Sequence, residues 1–392
     1  MASARLDVQQ MPMGGPFGDF LDVVDTIYER DPAYVRPLDL LLKDQLSPRK
    51  NPFFEHGEGA MFCAYRGGQC VGRATAQIDR EHLERHKDRT GFFGFFDTVD
   101  DEEVARELLD RAERWLTSKG MKTARGPLSL SMNEEIGCLI EGFDTPPYVA
   151  MPHHKPYQGG LIEKAGYRKI KDFFAWKYTV GEPNARVKKA YADVQAQPEI
   201  TSRPLSLKNL DRDIALFVDI FNDCWSENWG FVPFTPTEAR KMATDYKLLI
   251  MPEITCIVSI SGEPAAVAIA VPNLNELVRD MHGKLFPLGL PKLLWRLKVS
   301  GPKSARLVFL GIRKKWRGVR KYAALSAFMY AQMNEGGKKL GIREGELGWT
   351  LEDNGAVNAG IRLMGANLYK KYRVYEKALG GANGAAKVTT SP

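Results

Sequence analysis

Two periods of apolar residues alternate along this chain, and they come twice in the same order. Helical spacing comes first, in FGDFLDVVDTIYER, with Phe17, Phe20, Leu21 and Val24 on one face. AMFCAYRGGQCVGRATAQID then alternates with a period of two and predicts a hairpin, 60–65 with 70–78, turning at Gly67-Gly68. TGFFGFFDTVD predicts a third strand. DDEEVARELLDRAERWLTSKG predicts an amphipathic helix; its acidic first turn suits the helix dipole, and Gly120 supplies the stop. KTARGPLSL predicts the next strand.

The second half runs through the same series. LKNLDRDIALFVDIFNDCW predicts a helix, ITCIVSISGEPAAVAIAVP a hairpin turning at 261–263, and ARLVFLGIR a strand. GVRKYAALSAFMYAQMNEGGKKLG predicts a helix ending near Gly341, and REGELGWTL the next strand. Gly120 precedes Asn133 by thirteen residues, and Gly341 precedes Asn354 by the same number. LIEKAGYRKIKDFFAWKY and GIRLMGANLYKKYRVYEK then place a glycine, a lysine-rich turn and an aromatic strand in the same order. The expected organisation is two copies of one α/β unit, 1–181 and 204–379. A polar, proline-containing linker, 182–203, joins them, and a tail, 380–392, is too poor in apolar residues to fold.

Composition narrows the class. Hydrophobic residues at 44% and charged ones at 26% suit a soluble globular chain. No apolar run reaches the roughly 18–20 residues of a membrane span, and MASARLDVQQMPMGGPFGDF has no apolar h-region, so no signal peptide is expected. The five cysteines are scattered with no CxxC pair, which predicts reduced thiols in the cytoplasm and no metal site. The net charge of +7 is unevenly placed: from 281 to 334 there is no Asp or Glu, while Lys and Arg recur. Such a block faces solvent or an anionic partner. Nucleic acid is not expected, because the block is interleaved with core-type apolar residues and carries no nucleic-acid-reading motif.

LVFLGIRKKWRGVRKYAAL gives the block a shape: a strand, a basic turn around Gly318, then a helix start. Helix starts present unpaired N–H groups to anions, and a glycine allows close backbone approach. Arg317, Arg320 and Lys321 add charge-assisted hydrogen bonds. The turn is either a pyrophosphate cradle or a solvated basic helix start. The matching turn of the first copy, FFDTVDDEEVAREL, is acidic and would repel pyrophosphate.

This order, with KKWRGVRKYAAL at the helix start and MGA before the last strand, resembles the acyl-CoA-binding half of the GNAT acyltransferases. The pyrophosphate signature of that superfamily would run from Lys315 through Gly318 to Arg320, with Val319 and Lys321 beside it. Lys315 departs from the usual first residue and Arg320 from the final small one. The resemblance implies that Leu310, Gly311 and Ile312, on a strand splaying from 346–350, meet the pantetheine arm. NPFFEHGE, GFFGFFD, GPLSLSMNEEIGCLIEGFDTPP, WSENWGFVPFTPTE and LEDNGAVNAGIRLMGANLYKKYRVYEK extend the likeness over nearly the whole chain, to the tandem-GNAT family that includes bacterial ceramide synthase. The fold so implied is α/β: two tandem GNAT-like units with mixed, mostly antiparallel sheets flanked by helices. The activity so implied moves a fatty acyl group from acyl-CoA to the amine of a sphingoid base, either sphinganine or 3-ketosphinganine. A GNAT acting on a small polar amine, or a non-catalytic acyl-CoA- or lipid-binding protein, remains the alternative.

Direct attack by an amine on a thioester needs a base for the ammonium and donors for the oxyanion, but no covalent nucleophile. Glu352 is the first candidate base, with Glu346 the other. Asn354 either contacts ligand or caps the next helix. The tyrosine acid of many GNAT enzymes is missing, since Ile361 stands in its place; Tyr369 or Tyr372 would have to substitute. The proline-bounded loop MPHHKPYQ offers His153, His154 and Tyr157, with at most one of the adjacent histidines facing a cleft. Glu134 and Glu135 either bind a cationic amine or begin a helix. Trp225, Asn228 and Trp229, in WSENWGFVPFT, either clamp a long chain or close the core. Segment 284–303, apolar and basic without an acid, either lies on anionic lipid through Lys292, Arg296 and Lys298 or packs on the domain as a helix with snorkelling lysines.

Overall fold

The computed structural model describes residues 5–380. Its strands are β1 (Leu6–Pro12), β2 (Gly57–Arg66), β3 (Gln69–Asp79), β4 (Thr90–Thr98), β5 (Thr123–Gly126), β6 (Cys138–Glu141), β7 (Arg168–Thr179), β8 (Ile200–Arg203), β9 (Thr255–Ile260), β10 (Glu263–Pro272), β11 (Ser304–Ile312), β12 (Glu344–Leu351) and β13 (Asn367–Ala378). Its helices are α1 (Gly18–Ile27), α2 (Asp39–Gln45), α3 (Phe53–His56), α4 (Arg80–His86), α5 (Glu102–Ser118), α6 (Gln158–Lys164), α7 (Ala185–Gln195), α8 (Leu210–Trp225), α9 (Pro236–Asp245), α10 (Leu274–Val278), α11 (Gly289–Trp295), α12 (Leu325–Lys339) and α13 (Gly355–Leu363).

All the strands join one sheet, in the order β1-β2-β3-β4-β5-β13-β7-β12-β11-β10-β9-β8, with β6 also on β13. Most pairs are antiparallel; β4 with β5 and β11 with β12 are the parallel ones. The two halves exchange their last strands. β7, from the first half, pairs with β12 of the second, and β13, from the second, pairs with β5 and β6 of the first. The β7–β13 pair sits at the seam; one face carries Phe173, Ala175, Tyr372 and Val374, and Trp176 is on the other, all fully buried. Each half therefore completes the other's sheet, and the apolar strand residues of either would be uncovered alone.

The helices lie where their apolar faces need cover. The inner face of α5, from Val104 to Leu116, packs on β2, β3 and β4. Leu325, Phe328, Met329 and Met333 of α12 pack on the second half's strands. Three expectations need adjusting. Residues 182–203, read as a linker, contain α7 and β8. Helix α12 begins at Leu325 rather than near 318, after two short 3-10 turns. The fifth strand ends at Gly126, because Pro127 cannot donate to a ladder. Of the expected tail, 381–392 lies outside the described residues.

Candidate active site

The parallel pairing of β11 with β12 lasts only from Ser304↔Glu344 to Leu307↔Leu347. Beyond it β11 follows β10 to Ile312, and β12 follows β7 to Leu351. The strands part and leave a wedge. Val308 and Phe309 on one side and Trp349 on the other line a cavity of about 470 Å³, a size that suits a small-molecule site. The opposite wall comes from the first half, in the loops around Glu134, Glu135, His153 and His154. The cavity thus lies between the two copies.

Its chemistry centres on two carboxylates. Both are half-buried because one side faces the cavity, while protein surrounds the rest. Glu134 accepts a hydrogen bond from the Gln45 side-chain amide. Burial pushes its pKa up to about 8, with Glu135 and Glu238 adding repulsion. Glu135 has no side-chain partner among the described residues. Burial pushes it up to about 7, against the pull of the Arg306 guanidinium. A group near neutrality can take a proton from an ammonium and release it again.

The adjacent histidines divide. His153 Nε2 bonds Asp31 at 3.1 Å, and its Nδ1 is sealed inside the protein. His154 Nδ1 accepts the Leu139 N–H at 3.1 Å, so the proton sits on Nε2, which has no partner among the described residues. Burial lowers the His154 pKa to about 4. Both rings line the cavity, but His154 is a neutral N–H donor there and not the base that the sequence suggests. Trp225, Asn228 and Trp229 also line it. Trp225 packs at once on Phe309 (5.4 Å between ring centres) and Trp349 (5.7 Å), so the aromatic lip both closes the core and forms the wall.

Several expected residues lie elsewhere. Glu352 is outside the cavity wall, held by Lys169 Nζ at 2.6 Å and the Asp172 N–H at 3.0 Å, where it fastens β12 to β7. Tyr157 is also outside it and donates to the Thr98 carbonyl at 2.9 Å. Asn354 caps α13 by accepting the Val357 N–H. Tyr372 is fully buried in the seam and outside the cavity wall, with no partner for its hydroxyl among the described residues. Glu346 is fully buried beneath the wedge, where Tyr369 donates to it and Arg306 Nε lies at 3.3 Å. Arg306 reaches the cavity and also binds the carbonyls of Val149, Ala150 and Gly348. It signals itself in sequence as a lone cation inside the apolar run ARLVFLGI.

The basic turn, 313–324, continues outward from β11, which carries Leu310, Gly311 and Ile312 at the far end of the wedge. Gly318 has φ +73° with open space around it, and the N–H groups of Gly318, Val319 and Arg320 have no partner among the described residues. Most of the expected cations are engaged. Arg317 binds the carbonyls of Ile312 and Cys224, Lys315 pairs with Glu263, and Lys321 pairs with Glu199. Arg320 is exposed and unpaired among the described residues, so the residue that departs most from the usual signature is the one left for an anion. Helix α12, which follows, has no side-chain cap.

Segment 284–303 forms α11 and a π-turn. Leu293 and Leu297 pack inward, while Phe286, Leu288, Trp295 and Val299 stand in solvent. Lys292 and Arg296 pair with Asp280, so of the expected trio Lys298 alone is left without an ion pair among the described residues, with Lys284 exposed and unpaired in the same segment. Among the described residues no helix is long and apolar enough to cross a membrane, and no cluster of His, Cys, Asp and Glu could hold a metal.

No protein-family model matches the chain. It is 38% identical over 380 residues to the bacterial ceramide synthase of Caulobacter vibrioides (strain NA1000 / CB15N), covering 96% of this chain and 99% of that one. It is 38% identical over 362 residues to Protein YghO of Escherichia coli (strain K12), covering 92% of each. Among solved structures, a tandem GNAT protein from the clavulanic acid biosynthesis pathway aligns with a TM-score of 0.57 at 12% identity, over 97% of this chain and all of that one. A GCN5-related N-acetyltransferase from Sphaerobacter thermophilus aligns with a TM-score of 0.54 at 13% identity, over 96% and 97%. At such identities the two structures speak for the fold.

Proposed function

The chain belongs to the tandem-GNAT acyltransferase family that includes bacterial ceramide synthase, and on that premise we propose that it moves a fatty acyl group from acyl-CoA to the amine of a sphingoid base, sphinganine or 3-ketosphinganine. The observation that carries this reading is the carboxylate pair Glu134 and Glu135, set in a largely apolar cavity that opens into the β11–β12 wedge. An apolar chamber with one acidic end suits a long-chain ammonium.

The pyrophosphate of acyl-CoA lies on the free N–H groups of 318–320 and on Arg320, and the pantetheine arm follows β11 past Ile312, Gly311 and Leu310 into the wedge. The acyl chain lies among Trp225, Phe309 and their neighbours. The ammonium rests between Glu134 and Glu135, and Glu135 takes one proton. The neutral nitrogen attacks the thioester carbon, forming the C–N bond. The oxyanion accepts a hydrogen bond from His154 Nε2–H, a donor fixed in place before the reaction. Collapse breaks the C–S bond, and the second amine proton leaves with the CoA thiol. Segment 284–303 rests against the anionic inner face of the cytoplasmic membrane through Phe286, Leu288 and Trp295, with Lys284 and Lys298 beside them.

A thiol-release assay tests the reaction: palmitoyl-CoA and acetyl-CoA compared, with and without sphinganine or 3-ketosphinganine, and the product weighed by mass spectrometry. Release that needs both the long-chain donor and the sphingoid amine, with an N-acyl product, is expected. Release from acetyl-CoA with a polar amine, or tight binding without release, overturns it.

A further inference from the structure

We infer that the amine substrate enters sideways out of the bilayer, through a mouth between α2 and the C-terminal end of α9, while acyl-CoA arrives from solvent at the opposite, basic turn. This rests on the reaction proposed above. The cavity wall includes two residues that also stand in solvent, Leu41 on α2 and Asp245 at the end of α9, and these mark where the chamber opens. On the inner side of that opening lie Leu38, Leu42 and Met242, apolar and facing the chamber.

The outer side is apolar too. Of the twelve large apolar side chains exposed among the described residues, seven belong to three segments: Leu40 and Leu41, Leu248, and the group Phe286, Leu288, Trp295 and Val299. The segments are joined. The Asp39 N–H donates to the Gly283 carbonyl at 2.9 Å, which fixes α2 beside the start of the exposed segment. Leu38, Leu249, Leu293 and Leu297 share one buried cluster beneath all three. One apolar surface therefore runs from the exposed segment to the lip of the chamber. Lys43, Lys247, Lys284 and Lys298 are exposed along it and unpaired among the described residues. Single exposed leucines are ordinary, but a continuous apolar patch with a cationic fringe fits a bilayer with anionic headgroups.

A lipid bilayer also explains why the mouth is built this way. A long-chain amine in water would have to leave the membrane completely, exposing every methylene of its chain to solvent. A mouth seated in the headgroup layer lets the chain pass from lipid to protein without that exposure.

The test uses the full chain and two amines, a short-chain water-soluble sphinganine and long-chain sphinganine carried in phosphatidylglycerol–phosphatidylethanolamine vesicles. The variant is Leu40→Asp with Leu248→Asp; neither residue lines the chamber. Turnover of the vesicle-borne amine should fall about tenfold or more, since each substitution replaces apolar contact with the bilayer by a charge. Turnover of the soluble amine should not change, and the wild-type protein should sediment with the vesicles. Equal loss with both amines, no loss with either, or wild-type protein that stays in the supernatant with vesicles present overturns the inference. If the wild-type protein acylates neither amine, the reaction itself falls, and this inference falls with it.

Discussion

The first and second halves meet the same geometric problem and solve it in opposite ways. In each, a parallel strand pair parts and a helix begins beyond it. In the first half the gap is closed from within. Leu128 donates its N–H to the Phe93 carbonyl at 2.8 Å, and the chain presses so close that a Cβ at Gly94 would collide with the Leu128 carbonyl. Only three residues, 99–101, join β4 to α5. Asp101 then caps the helix itself, accepting the N–H groups of Glu103 (2.9 Å) and Val104 (3.2 Å). In the second half nothing among the described residues does either job. Twelve residues, 313–324, separate β11 from α12, the helix is uncapped by any side chain, and the wedge opens on a cavity. Backbone groups left without an internal partner are a ligand site in waiting. In the proposed reaction the sealed copy supplies the carboxylates and the histidine donor, and the open copy supplies the anion turn and the wedge.

The sharpest way to break this comparison is to remove the first half's chemistry. Glu135→Gln should lower kcat by roughly 10²–10⁴, the usual worth of a positioned base, with acyl-CoA affinity kept. The wild-type kcat/KM should rise with pH through about 7, where Glu135 loses its proton, and flatten above it. The glutamine variant should lose that rise; a rise that persists would point to another base.

A change in the open copy should have a smaller effect of a different kind. Arg320→Glu should weaken acyl-CoA binding about tenfold, or about 1.4 kcal/mol, measured by calorimetry, with the melting temperature unchanged. Affinity that survives this charge reversal would separate the turn from the cofactor.

The smallest effect is expected where the first half is sealed. Asp101→Ala should cost about 1 kcal/mol of stability through loss of the cap, read by urea unfolding, and leave acyl-CoA affinity untouched. Tighter acyl-CoA binding in that variant would mean that the first copy had kept a latent anion site.

The alternation of periods made most strands and helices legible, because burial of one face imposes it directly. The hairpins turning at Gly67-Gly68 and Ser261-Gly262 and helix α5 with its stop at Gly120 stand where the sequence placed them, and the family resemblance implied the splay of β11 from β12. α2, at seven residues, gives too short a pattern to show a period, and α9 was missed although Thr235, Pro236 and Glu238 mark its start with a capping box. Of the candidate site, Trp225, Asn228, Trp229, Glu134, His153 and His154 all line the one cavity. Glu352, Tyr157 and Asn354 do not, because local partners claim them.

The sequence by itself determined the duplication, the elements of each copy and the charge contrast between the acidic and basic turns, all of which are local patterns. Only the tertiary structure decided that the two sheets become one through exchanged strands, and that the carboxylates of the first half and the parting strands of the second line one cavity. It also decided which carboxylates have their pKa raised. Desolvation depends on what surrounds a group in space, and neighbours far apart in the chain leave no trace in its periodicity.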